Sequence, residues 1–270
     1  MQVCTKASQL ASFWGQKIGF VPTMGALHAG HASLIEQARA QNDFVVVSIF
    51  VNPTQFAPNE DYQAYPRTLQ ADSALCERLG VDVLFAPDPT QIYPLAEKIT
   101  LQPPASLLGF EADARPKHFE GVLQVVLKLF NLVRPKRAYF GQKDAQQLLI
   151  IQHMVADLFL DIEIVPCVIV RDGDGLALSS RNVYLSPEER VSALKLPQAL
   201  RAIERAIQEG ARDSQKLISL GLEMLQGLKV HYLSVCDRQL TPLEHITLDQ
   251  TLILAAVQVG RVRLLDNLWV

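Results

Sequence analysis

Paired cysteines are missing from this 270-residue chain, which has four cysteines in all. Cys4, Cys76, Cys167 and Cys236 are widely separated and form no Cys-x-x-Cys pair. This spacing suggests neither a zinc knuckle nor a disulfide that closes a short loop. The cysteines are compatible with a reducing compartment, and we expect a cytoplasmic protein.

Long apolar runs and an excess of positive charge are also absent. Nowhere do about 18 consecutive apolar residues occur, as a membrane span would need, and residues 1–14 lack the apolar core of a signal peptide. The net charge of −3 argues against a nucleic-acid surface. We therefore expect neither a membrane nor a nucleic acid as a partner. With 49% hydrophobic residues, the chain is suited to a folded enzyme that binds small molecules.

Short β-branched runs alternate with stretches of helical period over the first two thirds of the chain. The apolar residues of 122–133 recur at i, i+3, i+4 and i+7, which predicts a helix with one apolar face. Helices are also predicted over 33–39 and 146–158, and strands over 18–22, 44–51, 81–86, 138–141 and 162–168. This alternation is typical of an α/β fold with a parallel sheet.

The character of the sequence changes near Val170. Residues 171–175 form a turn cluster, and one long amphipathic helix is predicted over 187–210. A further helix, strands over 231–235 and 252–257, and an apolar tail follow, which favours a small α+β domain. The predicted domains are therefore residues 1–169 and residues 170–270.

Two histidines lie where the first predicted strand passes into a helix. Residues 22–31 read Pro-Thr-Met-Gly-Ala-Leu-His-Ala-Gly-His, which places His28 and His31 three residues apart. A helix start offers unpaired N–H groups to a phosphate, and both rings can bind ATP there. They would stabilise charge as pyrophosphate leaves, and protonation would strengthen this effect. A simple helix cap and, without a third ligand nearby, a zinc site are the alternatives.

Amide side chains follow two predicted strands. Asn52-Pro53 ends the second strand at the carboxyl edge of the sheet, and Gln55 comes just after it. A carboxamide can donate to a carboxylate and accept from a hydroxyl, as a hydroxy acid requires. The alternative is that Gln55 belongs to an ordinary polar loop. Downstream, Tyr65 and Asp72 could position substrate or metal, or belong to a turn.

Cationic side chains occur at two further places. Lys143 follows a strand and a glycine, so we expect it to be directed at a phosphate, although such a lysine can also be a solvated surface residue. Gln147 lies one turn further on the same helix face and could serve an acid substrate opposite Gln55. Ser179, Ser180 and Arg181 would form a phosphate clamp if their loop closes, and are also common residues of helix caps.

Six motifs in this order resemble those of the pantothenate synthetase, or pantoate:β-alanine ligase, family of the nucleotidyltransferase superfamily. They are residues 22–31, 50–56, 65–68, 115–122, 141–147 and 178–182. The resemblance implies a Rossmann-like N-terminal domain, a smaller C-terminal domain that closes over ATP, and a homodimer. It implies that ATP and Mg²⁺ are used to condense (R)-pantoate with β-alanine through a pantoyl adenylate, with release of AMP and pyrophosphate.

The resemblance also implies roles for individual residues. The catalytic set would be His31, His28, Lys143 and Arg181. Gln55 and Gln147 would bind pantoate, and Arg115 would lie near the amine or the phosphates. The residue pattern alone adds Tyr65 to the substrate-binding set and Asp72 as the candidate Mg²⁺ ligand. The ATP site would comprise Met24, Gly25, Ala26, Leu27, His28, Ala29, Gly30, His31, Gly141, Gln142, Lys143, Asp144, Val170, Leu178, Ser179, Ser180 and Arg181.

The chain departs from the family pattern at three positions. Lys117 replaces a usual glycine, Gln142 replaces a usual glutamate, and Ala145 stands where an aromatic residue is common. Two rival functions also remain open: a nucleotidyltransferase for a phosphorylated substrate, and a nucleotide-sensing module without turnover. The paired glutamines favour a carboxylate substrate, because a phosphate ester would call for additional Arg or Lys.

Overall fold

A computed structural model of the protein describes residues 1–58, 60, 62–97 and 99–270. The chain divides into two compact units, Met1–Gln142 with Ile150–Val168, and Lys143–Leu149 with Ile169–Val270. The predicted boundary after residue 169 differs from this division by one residue. The sequence did not predict that Lys143–Leu149 groups with the second unit.

The first unit contains a six-stranded sheet with the strand order β1-β4-β3-β2-β5-β6. All described neighbours in this sheet pair in parallel. The strands are β1 Gln2–Cys4, β2 Ile18–Thr23, β3 Phe44–Ile49, β4 Val83–Phe85, β5 Arg137–Gly141 and β6 Glu163–Cys167. This sheet confirms the predicted α/β, Rossmann-like fold class.

Helices separate these strands along the chain. They are α1 Ala29–Gln41, α2 Leu69–Arg78, α3 Pro89–Ile92, α4 Glu111–Ala114, α5 His118–Val133 and α6 Ala145–Asp157. The predicted apolar stripe of α5 is buried, including Val122, Leu129 and Val133. On β3, Val45, Val46 and Val47 are at most 1% exposed. Because successive side chains of a strand leave on opposite faces, this burial is typical of a strand covered on both faces.

Register and strand order determine where the loops leave the sheet. Ile18 pairs with Phe44 and Thr23 pairs with Ile49, so the loops after β2 and β3 start side by side. The strand order reverses between β2 and β5. In open α/β sheets ligands bind outside the carboxyl ends of the strands at such a reversal. The loop between β2 and α1, residues 24–28, begins there and is called the histidine loop.

The second unit contains an antiparallel sheet with the strand order β7-β8-β9. Its elements are α7 Pro187–Ala193, α8 Lys195–Gln208, α9 Ser214–Met224, β7 Lys229–Asp237, β8 Thr251–Val259 and β9 Val262–Trp269. Leu196, Ile203 and Ile253 belong to one apolar cluster that joins helices and sheet. The predicted apolar tail is the strand β9.

The prediction of a single helix over residues 187–210 is wrong. Two helices form instead, with Leu194 between them. Pro197 gives the physical reason, because its ring would clash with the carbonyl group of Ala193 in a continuous helix. In the part of the chain that the structure describes, no helix has both the length and the apolar character needed to cross a membrane.

Candidate active site

The loop after β2 ends in a reciprocal histidine cap at the start of α1. His28 is the N-cap residue, and its Nδ1 atom accepts a hydrogen bond from the Gly30 N–H at 3.1 Å. The Nδ1 atom of His31 accepts one from the His28 N–H at 3.3 Å. The ring centroids lie 4.2 Å apart. The structure thus brings the two predicted histidines together.

These hydrogen bonds determine which nitrogen of each ring carries the proton. Because both Nδ1 atoms accept N–H groups, neither holds a proton. In a neutral ring the proton is then on Nε2, which becomes a hydrogen-bond donor. An imidazolium has protons on both nitrogens and could accept neither bond. Protonation of Nδ1 on either ring would therefore break its cap bond. The expectation that protonation strengthens phosphate binding stays a prediction.

Main-chain N–H groups of the same loop bond to protein acceptors. The Ala26 N–H donates to Asp72 Oδ2 at 3.0 Å, and the Leu27 N–H donates to Asp72 Oδ1 at 2.9 Å. The expectation of unpaired N–H groups is wrong for Gly25, Ala26, Leu27, His28 and Gly30. The histidine side chains, and not these amides, are the candidate donors to a phosphate.

Asp72, on α2, holds the loop between β2 and α1 in place. Its side chain is buried, and Thr68 Oγ1 donates to both of its oxygens at 3.2 Å. The carboxylate therefore accepts hydrogen bonds from two main-chain amides and one hydroxyl. We assign Asp72 to positioning the loop, because the lone pairs that a Mg²⁺ ion would need are used in these bonds.

Gln55 lies in a buried amide network at the end of the loop after β3. Its Oε1 atom accepts from Asn52 Nδ2 at 3.0 Å, and its Nε2 atom donates to the Met24 sulfur at 3.1 Å. Asn52 Nδ2 also donates to the Gly121 carbonyl at 3.0 Å. The carboxamide of Gln55 is thus held in one orientation beside Met24, in the loop after β2. The sequence pattern indicated Asn52 only as the residue that ends the strand, and did not reveal its bonds with Gln55 and Gly121.

Aromatic side chains support this network. The Tyr93 hydroxyl donates to Asn52 Oδ1 at 2.7 Å. Burial raises the pKa of Tyr93, against the opposing effect of its hydrogen bonds with Thr54 and Asn52. Tyr65 is buried and packs edge to face on Phe56, with ring centroids 5.9 Å apart. Tyr65 therefore supports the residue next to Gln55, and its direct contact with substrate stays a prediction.

Arg115 belongs to a bonded chain that leads to Gln55. Its guanidinium donates to both oxygens of Glu60, at 2.7 Å and 2.8 Å, and lies 3.1 Å from His118 Nε2. Because a guanidinium only donates, His118 Nε2 accepts, and its Nδ1–H donates to the Gln55 carbonyl at 2.8 Å. Burial raises the pKa of Glu60, but the Arg115 pair outweighs it and holds that pKa below its usual range.

The predicted phosphate-binding residues of the second unit lie in two segments. Lys143 is in the 3-10 turn Gln142–Asp144, and its Nζ atom is 3.5 Å from Asp144 Oδ1. Gln147 is partly buried on the first turn of α6. Ser179 caps a 3-10 helix over Ser180–Tyr184, with its hydroxyl accepting from the Arg181 N–H at 3.3 Å. The alternative of a capping serine is therefore realised at Ser179.

A hairpin precedes that second segment. Val170 and Leu178 pair through a backbone hydrogen bond of 3.0 Å, so these two predicted ATP-site residues lie at its open end. Arg190 bonds to Asp174 at 2.8 Å. The Arg190 guanidinium holds the pKa of Asp174 below its usual range. The hairpin is therefore charged on its outer side and fixed to α7.

Metal and thiol chemistry find little support among the described residues. No group of three or more His, Cys, Asp or Glu side chains there could hold a metal ion. All four cysteines are free and buried. Burial and the Asp72 charge raise the pKa of Cys76 to about 11, and burial raises that of Cys167 to about 11. Both thiols stay protonated near neutral pH, which makes them poor nucleophiles.

A family model described as pantoate-beta-alanine ligase matches residues 2–269. The chain belongs to the pantoate-beta-alanine ligase family. A pantothenate synthetase of Helicobacter pylori (strain G27) is 57% identical over 258 residues, which are 94% of each chain. A crystal structure of the pantothenate synthetase of Thermus thermophilus shares 44% identity and a TM-score of 0.96, over 100% of this chain and 99% of that one.

A third relative was crystallised with small molecules. The pantoate-beta-alanine ligase of Francisella tularensis, complexed with beta-gamma ATP and beta-alanine, is 38% identical to this chain. The match has a TM-score of 0.81 and covers 100% of this chain and 97% of that one. The family assignment therefore rests on both sequence and fold over nearly the whole chain.

Within the ligase family, Lys117 is the departure for which the structure gives a physical account. Its φ is 67° and its ψ is 0°, the left-handed conformation that favours glycine. Lys117 is the N-cap residue of α5, directly before His118. The backbone of Lys117 therefore has a conformation that a glycine adopts without steric cost and that strains a lysine.

Proposed function

We propose that this protein uses ATP to join (R)-pantoate to β-alanine, through a pantoyl adenylate. The observation that carries the proposal is the reciprocal cap of His28 and His31, which holds two Nε2–H donors at the start of α1. Membership in the pantoate-beta-alanine ligase family supports the choice of acid and amine.

The first step is adenylation of pantoate. A carboxylate oxygen of pantoate attacks the α-phosphorus of ATP, and the bond from that phosphorus to the bridging oxygen of pyrophosphate breaks. Negative charge grows on the departing pyrophosphate, and the Nε2–H groups of His28 and His31 stabilise it. Lys143 and Arg181 add positive charge to the phosphates, and Met24 to His31, Gly141 to Asp144, Val170 and Leu178 to Arg181 form the ATP site.

The second step is attack of the β-alanine amine on the acyl carbon of the adenylate. The bond between this carbon and the AMP oxygen breaks, and AMP leaves with its electron pair. No protein nucleophile takes part. The buried thiols with raised pKa values are consistent with that scheme.

Gln55 and Gln147 bind pantoate in this proposal. Gln55 uses one amide N–H for the Met24 sulfur, so its second N–H can donate to a carboxylate. Its oxygen accepts from Asn52 and retains capacity to accept from the pantoate hydroxyl. Arg115 acts on this subsite through His118.

Mg²⁺ enters this proposal as part of the Mg²⁺–ATP substrate. Magnesium is commonly bound by one or two carboxylates together with substrate phosphates, so a dedicated protein cage is not needed. Asp72 does not fit as its ligand, because its oxygens hold the histidine loop. No step of the reaction is therefore assigned to a protein-held metal.

A pyrophosphate exchange assay tests the proposed function. Pantoate should cause label from pyrophosphate to enter ATP without any β-alanine present. Exchange that requires the amine would exclude a separate adenylation step. Pyrophosphate release with a phosphorylated substrate would favour a nucleotidyltransferase, and ATP binding without any release would favour a sensing module.

Assembly, location and domain roles complete the proposal. The family resemblance supports a homodimer and a cytoplasmic location, with residues 1–169 binding nucleotide and pantoate and residues 170–270 acting as a lid. Mass measurement by light scattering tests the dimer. Fractionation of cells tests the location.

A further inference from the structure

The last strand of the chain carries two buried polar side chains next to each other. Asp266 and Asn267 are 2% and 3% exposed. Both lie on β9, where Asp266 pairs with Ala255 and Asn267 with Leu254 of β8. Polar groups at this depth are costly unless they are bonded, so their partners show what they do.

Asn267 holds the main chain of Lys143. Its Nδ2 atom donates to the Lys143 carbonyl oxygen at 2.8 Å. The bond spans 124 positions of sequence and fixes the 3-10 turn that carries the lysine. It thereby determines the direction in which the lysine side chain leaves the backbone.

Asp266 holds the hairpin before the serine and arginine loop. Its two oxygens accept from Arg171 Nη1 at 2.6 Å and Nη2 at 2.9 Å. Arg171 Nη1 also donates to the Gly175 carbonyl at 3.2 Å, and Arg171 pairs with Ala177 across the hairpin. The paired arms lead directly to Leu178, so this ion pair fixes the start of the loop.

The two contacts are coupled through the backbone of β9. Asp266 Oδ1 accepts from the Asn267 N–H at 2.8 Å, in addition to its bond with Arg171. Successive side chains of a strand leave on opposite faces, so one dipeptide can reach two separate segments. A strand paired along its length to β8 is a rigid base for both contacts.

We propose that Asp266 and Asn267 are positioning residues for adenylation. Asn267 aims Lys143 at the phosphates, and Asp266, through Arg171, places the loop that contains Arg181. This inference rests on the proposed function, in which Lys143 and Arg181 contact ATP. Neither positioning residue touches substrate.

The test is a double-mutant cycle on single-turnover adenylation. Asn267→Ala should slow adenylation roughly 10- to 100-fold, because a small misplacement of a catalytic group costs about that much. The same variant, given pre-formed pantoyl adenylate and β-alanine, should form product at close to the wild-type rate. In a Lys143→Ala background, Asn267→Ala should cause little further loss, because its effect acts through the lysine.

Asp266→Asn is tested against Arg181→Ala in the same way. Thr251→Val is the matched control, because Thr251 is buried on β8 and donates to the Thr247 carbonyl at 2.8 Å, away from both segments. It should lower the thermal midpoint and leave adenylation unchanged.

Losses that multiply in the Lys143→Ala background would overturn the inference, as would equal losses in both half-reactions. Calorimetric ATP binding by the four proteins of the Asn267 cycle provides a second readout that needs no acid substrate. Wild-type protein without pantoate-dependent exchange would refute the proposed function alone. Additive losses of ATP affinity in the cycle would refute the positioning role alone.

Discussion

Gly121 of α5 lies against the main chain of Thr54 so closely that no side chain fits between them. We expect Gly121→Ala to push α5 away from the loop that carries Gln55. Overpacking of this kind costs about 1–3 kcal/mol of folding free energy. The KM for pantoate should rise more than the KM for ATP, and steady-state kinetics with each substrate varied checks this.

Gly173→Ala is the control, because a Cβ there meets nothing within 4 Å. It should behave as the wild type. A Gly121→Ala protein with unchanged stability and an unchanged KM for pantoate would show that the close approach does not matter.

Asp72→Asn should loosen the histidine loop. An amide has one acceptor oxygen, so one of the two loop N–H groups loses its partner. Leaving a buried group unpaired costs about 1–3 kcal/mol. We expect lower stability and a higher KM for ATP at every Mg²⁺ concentration. A defect that excess Mg²⁺ repairs would restore Asp72 as a metal ligand.

His31→Asn separates the two roles of this histidine. The Asn oxygen can replace Nδ1 as the cap acceptor, but the Nε2–H donor is lost. Adenylation should slow roughly 10²- to 10³-fold, about 2.7–4 kcal/mol, in both His31→Asn and His31→Ala. Only His31→Ala should also lose cap stability, by about 0.5–2 kcal/mol.

Single-turnover formation of the adenylate and thermal unfolding measure these two effects. The second half-reaction should be less affected, because it expels AMP and not pyrophosphate. If His31→Asn formed the adenylate at the wild-type rate, His31 would have only a structural role as a helix cap.

Gln55→Ala and Gln147→Ala should chiefly impair pantoate use. Gln55→Glu is the sharper variant, because it keeps the oxygen that accepts from Asn52 and replaces the donor with a negative charge. That charge should repel the pantoate carboxylate and raise the KM for pantoate beyond the value in Gln55→Ala. Steady-state kinetics with varied pantoate and varied ATP measure this difference. An effect confined to the KM for ATP would show that these glutamines do not bind pantoate.

Lys117→Gly should stabilise the protein. The left-handed conformation costs a non-glycine residue about 1–2 kcal/mol, and the added freedom of an unfolded glycine returns about 0.5–1 kcal/mol of that. The net gain is up to about 1.5 kcal/mol, measured by denaturant unfolding. Glu120→Gly, in the ordinary helical part of α5, should instead destabilise by about 1 kcal/mol. Lower stability in Lys117→Gly would mean that contacts of the lysine side chain stabilise the protein by more than the backbone strain costs.

Much of the first unit was predictable, because buried parallel strands read as apolar runs. The central strands β2 and β3 were predicted for that reason, and the helix α5 was predicted from its apolar residues at i, i+3, i+4 and i+7. Strand β1, over Gln2–Cys4, was missed since three residues carry too little periodicity, and it exists through its pairing with β4. The break between α7 and α8 was readable from Pro197, and the prediction overlooked it.

The candidate site was predictable as a set of residues but not as a set of bonds. His28 and His31 were found from their spacing, whereas their proton positions follow from cap bonds that no sequence pattern reveals. Asp266 and Asn267 were missed because the contacts of Asn267 with Lys143 and of Asp266 with Arg171 cross more than 90 positions of the chain. Long-range polar pairs of this kind leave no local signal.

The buried thiol of Cys76 gives the protein a built-in reporter of local opening. Cys76 lies one turn beyond Asp72 on α2 and is fully buried. An alkylating reagent can reach it only when α2 opens, and such opening would release the anchor of the histidine loop. The rate of alkylation at this cysteine, followed by mass spectrometry, therefore reports how often α2 opens and releases the histidine loop, without any added label. Bound nucleotide that stabilises the histidine loop should slow the alkylation of Cys76.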